Sequence, residues 1–258
     1  MLKGLYTGYT GMINEQNRLD VISNNLANSA TAGFKKEGAT SQTFKDTLTY
    51  KIKDISENPN MARHIGSNTP GVKIGECYTD YEQGSFKPTE NDTDFAISGD
   101  GFFAIEYTNK NNETSTKYTR AGTFQVNQQG FVVTEDGDYV LGTNNKRIKV
   151  NPNLSLSTAS NGAIFQNGTQ VGQILITDFE DYNYLEHFGE NLYQAVDGAK
   201  TKASTATVKS GYLENSNVEV VKEMVDMIAV TRAYESNQKV IQTHDSALEI
   251  AANQLGKL

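Results

Sequence analysis

The chain is poor in the residues that build covalent links or thick cores: it has one cysteine, no tryptophan and four prolines in 258 residues. The single cysteine, Cys77, excludes an internal disulfide. No apolar run approaches the roughly 20 residues that a membrane-spanning helix needs, so no direct membrane insertion is expected. Hydrophobic residues make up 37% of the chain, below the usual share, which predicts a core of limited thickness.

Positive charge is also scarce. The chain carries 23 Lys and Arg against 31 Asp and Glu, a formal net charge of −8. Without a basic stripe, neither nucleic acid nor an anionic membrane is an expected partner. The N-terminus lacks the apolar segment of a cleaved signal peptide, since Lys3 is followed by glycine, threonine and tyrosine rather than by an apolar run. A cytoplasmic protein and one exported without cleavage both fit this N-terminus.

Both ends of the chain carry a seven-residue apolar repeat, which is typical of helices that pack along one seam. In each helix the companion positions three or four residues away turn polar; in the C-terminal one we expect them at Met224, Thr231, Gln238 and Asp245. Asn215, Ser216 or Asn217 is the expected N-cap of a C-terminal helix of about 40 residues. The repeating apolar positions are Leu5, Met12, Leu19 and Leu26 at the N-terminus and Val220, Met227, Tyr234, Ile241 and Leu248 at the C-terminus.

The middle of the chain has the pattern of a β domain. From Tyr78 onward, short strand-like runs alternate with glycine turns, as in "DFAIS", "GDG" and "FFAIEY", which predicts an antiparallel sandwich or barrel. The expected fold class is therefore α+β, with terminal helices pairing into a coiled-coil-like domain around an inserted all-β domain. The predicted divisions are 1–35 with 215–258 as the helical domain, 36–75 as a polar linking segment with turn sequences, and 76–214 as the β-rich domain.

The first helix ends in the asparagine-rich stretch "NNLANSATAGF" at 24–34. Asn24, Asn25 and Asn28 each cost roughly 0.5 kcal/mol of helix propensity relative to alanine. One explanation is that their amides bond to neighbouring subunits where water is excluded. The other is local capping and turn formation by Asn28, with Gly33 as a left-handed helix C-cap. The sequence leaves both open.

No arrangement of side chains suggests catalysis, a cofactor or a metal ion. His64, His187 and His244 are scattered without a second ligand at metal spacing, and Cys77 has no nearby histidine. The loop "SGDG" at 98–101 lacks the lysine and helix of a phosphate loop and is expected to be a hairpin turn. The acidic loops "NDTD" at 91–94 and "TEDGD" at 134–138 do not have EF-hand spacing. We therefore expect no enzyme and no small-molecule substrate.

A two-helix hairpin with half of its seam polar would be marginal alone, which favours contact with other copies of the chain over a purely internal core. The residues that we expect to mediate self-assembly are Leu5, Met12, Leu19, Asn24, Asn25, Leu26, Asn28, Val220, Met227, Tyr234, Ile241 and Leu248.

Several stretches, in order along the whole chain, resemble the flagellar basal-body rod and hook family. They are "MLKGLYTGYTGM", "LDVISNNLANSATAGFKK", "GSFKPTENDTDFAISGDGFFAI", "YTRAGTFQVNQQGFVVTEDGDYVLG" and "GYLENSNVEVVKEMVDMIAVTRAYESNQKVIQTHD". The hook protein is similar at both ends but has a larger middle, so the rod branch is favoured. Distal-rod members carry a Gln-Pro-Gly-type stretch after the first helix, whereas this chain has only "NTPG" at 68–71, which leaves proximal and distal rod open.

The resemblance implies a structural subunit that leaves the cell through the flagellar type III export apparatus and joins the basal body in the cell envelope. Its implied partners are other copies of itself and other rod and hook proteins. In the family, the terminal helices form an inner tube, the β domain packs outside it and the tube transmits torque. The resemblance also implies that the segment after the first helix, here 36–75, is an extended element that contacts neighbouring subunits.

Two other functions remain open at this level. The first is a surface β-domain adhesin that oligomerises through its helices. The second is an enzyme acting on cell-wall glycan.

Overall fold

The computed structural model describes residues 2–51, 63–111, 113–152, 154–189 and 191–255. The chain forms two compact units. Unit 1 contains residues 1–27, 36–80 and 218–258, and unit 2 contains residues 28–35 and 81–217. The three-part division expected from the sequence stays a prediction about the assembled protein.

Two long antiparallel helices dominate unit 1. Helix α1 spans Leu2–Ala27 and helix α2 spans Val220–Ile250, followed by a π-helical turn at Ala251–Leu255. Three glycines of α1 face α2: an added Cβ at Gly4, Gly8 or Gly11 would lie 2.8 to 3.3 Å from side-chain atoms of α2. Glycine costs about 1 kcal/mol of helix propensity, and here its missing side chain lets the two helices approach closely.

Apart from the helices, the described residues of unit 1 form two antiparallel ribbons. Strand β1 (Glu37–Thr43) pairs with β4 (Val72–Thr79), and β2 (Thr47–Lys51) pairs with β3 (Arg63–Asn68). The turn before β4 approaches α1, because a Cβ on Gly71, whose φ is +136°, would lie 2.0 Å from Thr10 Oγ1. The glycine of the "NTPG" stretch is therefore required by this close approach.

The described residues of unit 2 form antiparallel sheets. Their strands are β5 (Phe86–Pro88), β6 (Phe95–Ser98), β7 (Phe102–Thr108), β8 (Thr114–Thr119), β9 (Phe124–Val126), β10 (Val132–Thr134), β11 (Tyr139–Val140), β12 (Ser157–Thr158), β13 (Ala163–Gln166), β14 (Thr169–Gln173), β15 (Ile176–Phe179), β16 (Leu185–Phe188), β17 (Leu192–Ala195), β18 (Thr201–Ala203), β19 (Thr207–Ser210) and β20 (Tyr212–Glu214). A 3-10 turn covers Tyr182–Tyr184.

The largest of these sheets has nine strands, in the order β16-β17-β8-β7-β11-β10-β9, with β15 pairing with both β7 and β18. The smaller sheets are β12-β13-β14, β6 with β19, and β5 with β20.

The core of unit 2 is apolar and closely packed. Its main cluster includes Phe95, Ile97, Phe103, Ile105 and Ile164, each at most 1% exposed. A second, aromatic cluster surrounds Phe102 and Tyr193. Each of these side chains contributes roughly 1.5 to 3 kcal/mol when it is removed from water, so unit 2 has the apolar burial of an ordinary independent domain.

The α+β prediction is confirmed in its main features: the chain has an N-terminal helix, a C-terminal helix and a largely antiparallel β-rich middle. The coiled-coil geometry of the helix pair stays a prediction. The prediction of a hairpin turn at 98–101 is wrong, because β6 and β7 do not pair with each other. Strand β6 pairs with β19, while β7 pairs with β8, β11 and β15. The loop turns between two sheets instead.

Both predicted helix ends differ from the structure. Helix α1 ends at Ala27, six residues before Gly33. Gly33 has a φ of +71°, but it donates its N–H to the Glu214 carbonyl and lies against the backbone of Ala121, so a close approach inside unit 2 requires it. The N-cap of α2 is Glu219, without a side-chain capping bond.

The asparagines predicted to cap α2 bond elsewhere. The amide of Asn215 donates to Ser85 Oγ, and that of Asn217 donates to the Glu82 carbonyl. These bonds hold the end of β20 to the segment that precedes β5, which is a role inside unit 2.

Candidate functional site

The apolar repeat lies on partly covered faces of both helices. Leu5, Met12, Leu19 and Leu26 are half-buried in α1, as are Met227, Tyr234 and Ile241 in α2. Val220 and Leu248, near the ends of α2, are 37% and 38% exposed. The self-assembly role of these residues stays a prediction, because each of them is described here in a single chain.

The companion positions predicted for α2 are wrong in part. Met224, Gln238 and Asp245 are exposed, while Thr231 is half-buried. The positions directed at α1 lie three residues, rather than four, after each member of the apolar repeat, and like the predicted positions they are mostly polar. Along α2 these positions are Glu223, Val230, Asn237 and His244.

Asn25 joins three segments of unit 1. Its side chain is 1% exposed, and its Nδ2 donates to the Glu37 carbonyl at 2.8 Å while its Oδ1 accepts from the Glu37 N–H at 2.9 Å. The same Nδ2 lies 3.3 Å from Glu223 Oε2. The amide thus satisfies the first residue of β1 and contacts the first turn of α2, so Asn25 has a full set of partners within its own chain.

Glu223 is the charged member of this cluster. It is 1% exposed and forms an ion pair with Lys36. Burial lowers the pKa of Lys36, but the hydrogen bond and charge of Glu223 outweigh burial and raise it above its ordinary value. A cavity of about 190 Å³ opens beside the pair, lined also by Arg18, Tyr78 and Asp226. We call Asn25, Lys36, Glu37 and Glu223 the asparagine clasp.

The other two predicted asparagines have different surroundings. Asn24 is exposed on α1. Asn28 follows the helix in unit 2, where its Oδ1 accepts from Thr31 Oγ1 at 3.2 Å and its carbonyl accepts the Thr31 N–H. This local turn is the one expected when Asn28 ends the helix by itself. The three asparagines therefore have three distinct environments.

Each helix also carries apolar side chains on the face turned away from its partner helix. On α1 these are Tyr6, Tyr9 and Ile13, which we call the tyrosine face; they are 62%, 50% and 38% exposed. On α2 the valine face consists of Val221, Met224, Val225 and Ile228, which are 78%, 48%, 60% and 55% exposed. Large apolar patches on a chain surface mark interaction sites more often than not.

Unit 2 contains a buried cluster of opposite charges. Glu214 Oε1 accepts from Lys35 Nζ at 2.6 Å and from the Gly84 N–H at 3.1 Å, while Glu214 Oε2 lies 3.2 Å from Arg120 Nε. Lys35 also donates to the Glu82 carbonyl. These three side chains are at most 4% exposed. We call Lys35, Arg120 and Glu214 the ion cluster.

The "SGDG" loop has a structural partner in the ion cluster. Arg120 Nη1 donates to the Gly99 carbonyl at 2.9 Å and to the Gly101 carbonyl at 2.6 Å. A loop that presents carbonyl oxygens to an arginine has the wrong polarity to bind phosphate. Its glycines, at φ of +110° and +134°, allow the backbone to turn around the guanidinium.

The acidic loops and histidines form no metal centre within the described part of the chain. No group of three or more His, Cys, Asp and Glu there could hold an ion. In the "NDTD" loop, Asp94 is buried and accepts from the Asn91 amide. In the "TEDGD" loop, burial raises the pKa of Asp138. None of the described helices is long and apolar enough to cross a membrane.

Three protein-family models match the chain in succession. "Flagella basal body rod protein" matches residues 5–35, "Flagellar hook protein FlgE/F/G D1 domain" matches 96–169, and "Flagellar basal body rod FlgEFG protein C-terminal" matches 209–255. The first and last cover most of α1 and all of α2, and the middle one covers the start of the large sheet. All three descriptions concern structural proteins of the flagellar rod and hook.

Relatives that match the chain over nearly its full length belong to the same family as the matching family models. The chain is 35% identical to the flagellar basal-body rod protein FlgG of Bacillus subtilis over 98% of this chain and 99% of the relative. It is 36% identical to that of Caulobacter vibrioides over 98% and 99%, and 32% identical to the flagellar hook-basal body complex protein FlhO of Bacillus subtilis over the full length of both. The chain belongs to the flagellar basal-body rod family.

Family membership decides between the functions left open by the sequence. Members of the family are structural components of the flagellar rod and not enzymes. The alternative that the chain is an enzyme acting on cell-wall glycan is therefore wrong. The adhesin alternative has no support among these relatives. Homologues that are rod and hook-basal body complex proteins agree with the expected location in the basal body.

Sequence reasoning missed the asparagine clasp, the ion cluster and the glycines of α1. The glycines had a visible signal, since Gly4, Gly8 and Gly11 are spaced to share one face of a helix. Glu223 is also at helical spacing with Val230 and Asn237. Lys35, Arg120 and Glu214 are far apart in sequence, and no local pattern marks them as partners.

Proposed function

We propose that this chain is a subunit of the flagellar rod that polymerises through its terminal helices with copies of itself and with other rod and hook proteins. The observation that carries the proposal is the contrast within unit 1, where the described seam between α1 and α2 contains glycine, asparagine and glutamate while the apolar side chains of the tyrosine face and the valine face lie outside it. A helix pair of this kind gains apolar burial when other chains cover its outer faces.

The half-buried repeat supports the same proposal. Met227, Tyr234 and Ile241 are only half-buried, so a neighbouring helix can complete their burial. An interface whose two sides differ builds an open helical assembly when its rotation does not close. The proposed product is a tube with the helices inside and the β-rich unit outside, able to transmit torque.

Export through the flagellar type III apparatus is the proposed route by which the chain reaches the rod. The net charge of −8 favours solubility of the free subunit before assembly.

Electron microscopy of purified basal bodies, with the chain carrying a small internal tag in unit 2, tests the proposal. The expected result is label along the rod. Label absent from basal bodies, with the protein recovered in another cell fraction, would contradict it.

A substitution inside the helix pair tests the part played by the helices. Ile241→Asp places a carboxylate against Gly8 of α1, where Ile241 Cγ1 lies 3.3 Å from the site of an added Cβ, and an unpaired buried charge costs several kcal/mol. We expect non-motile cells that still secrete the subunit. The matched control is Gln242→Asp, one residue further on an exposed position, which should swim normally; equal motility of both variants would contradict the assignment.

A further inference from the structure

We infer that the tyrosine face of one copy packs against the valine face of the next, so that each copy uses one face to hold the copy before it and the other to hold the copy after it. This inference rests on the proposed function and names the residues that would carry the repeated contact. It follows from the placement of the two faces on unit 1, which is set by the helix seam.

The two faces point in opposite directions. Successive residues of an α-helix are 100° apart, and Tyr6, Tyr9 and Ile13 each lie two residues from a glycine that faces α2. They are therefore about 200° around α1 from the seam. In the same way, Val221 and Val225 lie two residues on either side of Glu223, which contacts Asn25 of α1. Each face is thus on the outer side of its own helix, and one partner helix cannot cover both.

The faces are also displaced along the helix axes. Glu223 is level with Asn25, and Asn237 is level with Gly11, because these pairs are in contact in the antiparallel pair. The centre of the valine face is therefore level with residue 23 of α1, whereas the centre of the tyrosine face is near residue 9. Fourteen residues at 1.5 Å each place the two centres about 20 Å apart along the helices.

This placement selects an open assembly. A two-fold dimer needs one self-complementary patch, but here the two patches differ, lie on opposite sides and are displaced from each other. When the tyrosine face of each copy contacts the valine face of the next, every added copy is displaced by about 20 Å along the helices. The series of copies therefore does not close on itself and extends as a filament. A second copy of this chain in the same orientation is therefore the occupant that fits each face.

The chemistry of the two faces is complementary. Two tyrosine rings present broad apolar surfaces with hydroxyls at their edges, which remain hydrated when the rings lie flat. Branched and flexible aliphatic side chains on the valine face can pack under such rings. Helices of copies that share one orientation meet antiparallel at this contact, since α1 and α2 run in opposite directions.

The size of the faces argues against a stable dimer. Each face exposes a few hundred Å², whereas a stable interface takes about 800 Å² from each partner. A single contact is therefore weak, and the free subunit stays monomeric. In a polymer every internal copy makes the contact twice and gains the remaining helix contacts with other neighbours, so assembly is favoured only as a whole.

A charge-swap experiment in cells tests the pairing. Tyr9→Lys and Val225→Glu each place a charge in the contact, and we expect each alone to reduce the number of complete rods by about tenfold or more, because a desolvated unpaired charge opposes every contact. The double variant pairs lysine with glutamate across the contact and should recover most of the rods. Gln16→Lys and Gln242→Glu, at exposed positions of the same helices, are the matched controls and should assemble normally.

Disulfide capture shows which copies meet. With Cys77→Ser to remove the natural thiol, Tyr9→Cys combined with Val225→Cys should give a ladder of covalent multimers in oxidised basal bodies, while either new cysteine alone should give none. The ladder and the charge-swap rescue support the pairing.

Three results would overturn the pairing while leaving the proposed function intact. They are wild-type rod numbers in both single charge variants, no rescue in the double variant, or covalent products that stop at the dimer. Absence of the unmodified chain from basal bodies would overturn the proposed function and the pairing together, and it is recognised by recovery of the protein from a different fraction. Secretion of each variant into the medium confirms that export is unaffected, and an unchanged circular dichroism spectrum of the purified free chain confirms that folding is unaffected.

Discussion

The two units of this chain bury opposite kinds of residues. Among the described residues, unit 2 encloses clusters of phenylalanine, isoleucine and valine that are almost fully removed from water. In the described part of unit 1, the buried apolar side chains are Ile22, Val218 and Val230, and the buried polar ones are Asn14, Asn25 and Glu223. Unit 1 leaves more apolar side chains on its surface than in its interior.

This difference indicates what each unit needs in order to be stable. Unit 2 has enough apolar burial to offset the conformational entropy of folding by itself. The described part of unit 1 relies on hydrogen bonds and on the ion pairs Arg18–Glu15 and Lys36–Glu223, and such hydrogen bonds contribute only about 1 kcal/mol each in net terms. We infer that unit 1 folds but reaches its full stability only when neighbouring chains cover its exposed apolar faces. Substitutions in unit 1 and in unit 2 test this difference between the two units.

The largest expected effect is in the core of unit 2. Phe103→Ala removes a ring that is 0% exposed and packs against Phe124 at 5.2 Å between centroids. The expected cost is about 3 to 5 kcal/mol of the free energy of unfolding. Urea unfolding monitored by tyrosine fluorescence measures it, since the chain has no tryptophan. A cost below about 1 kcal/mol would mean that unit 2 lacks the tight core described here.

The ion cluster gives an effect of similar or slightly smaller size. Glu214→Gln leaves the buried charges of Lys35 and Arg120 without an anion, and breaking a buried pair typically costs about 3 to 5 kcal/mol. The same urea unfolding curve measures this loss. A variant as stable as the parent would show that water reaches the cluster.

The matched control is a more exposed ion pair of unit 2. Arg147 donates two hydrogen bonds to Glu106 at 2.8 and 2.9 Å, and the hydrogen bond from Arg147 lowers the pKa of Glu106. Because the folded-state pKa is depressed, the contribution is present above the ordinary glutamate pKa of about 4.3 and is lost as the pH falls through the folded value. Glu106→Gln should therefore cost less than about 1 kcal/mol at pH 7 and should flatten the loss of stability in that acidic range.

Substitutions of two neighbouring asparagines of α1 distinguish a role in folding from a role at the surface. Asn25→Ala leaves the N–H and carbonyl of Glu37 without their partner and should destabilise unit 1 by about 1 to 3 kcal/mol. Asn24→Ala, at the exposed neighbouring position, should gain roughly 0.5 kcal/mol from helix propensity. Thermal unfolding followed by circular dichroism at 222 nm compares them, and rod recovery from cells then shows whether Asn24 also serves assembly. Equal unfolding temperatures would contradict the clasp.

The smallest expected effect on the free chain is at the valine face. Ile228→Ser changes a residue that is 55% exposed, so the free energy of unfolding of the isolated chain should change by no more than about 0.5 kcal/mol. The same substitution should lower the yield of rods. A large loss of stability in the isolated chain would mean that the valine face is covered by its own chain.

The sequence predicted the parts of the fold that repeat locally. Seven-residue spacing located both helices, and alternating strands with glycine turns located the hairpins between β9 and β11. It failed where distant residues decide the outcome. Gly33 has the signature of a helix C-cap, but its conformation is required by the backbone of Ala121, nearly ninety residues away, and the "GDG" turn is shaped by Arg120 rather than by its own hairpin.

The candidate site was predicted in part for the same reason. The apolar repeat predicted one of the two rows of seam positions on α2. It did not predict the second row, because residues three and four positions away both lie on the same face of a helix. The structure selects the three-residue offset because Glu223 bonds Asn25 and Asn237 lies against Gly11. Those tertiary contacts replace the apolar preference that favoured Met224, and no residue pattern within α2 alone contains them.

Hydrogen exchange of the backbone amides, compared between the free monomeric chain and purified basal bodies, shows whether unit 1 depends on neighbouring chains for its stability. We expect amides of the unit 2 core, such as those of β7, to be protected in both samples, while amides of α1 and α2 exchange rapidly in the free chain and become protected only in basal bodies. Equal and strong protection of α1 and α2 in a proven monomer would show that unit 1 is complete without its neighbours, contrary to the inference drawn from its exposed apolar faces.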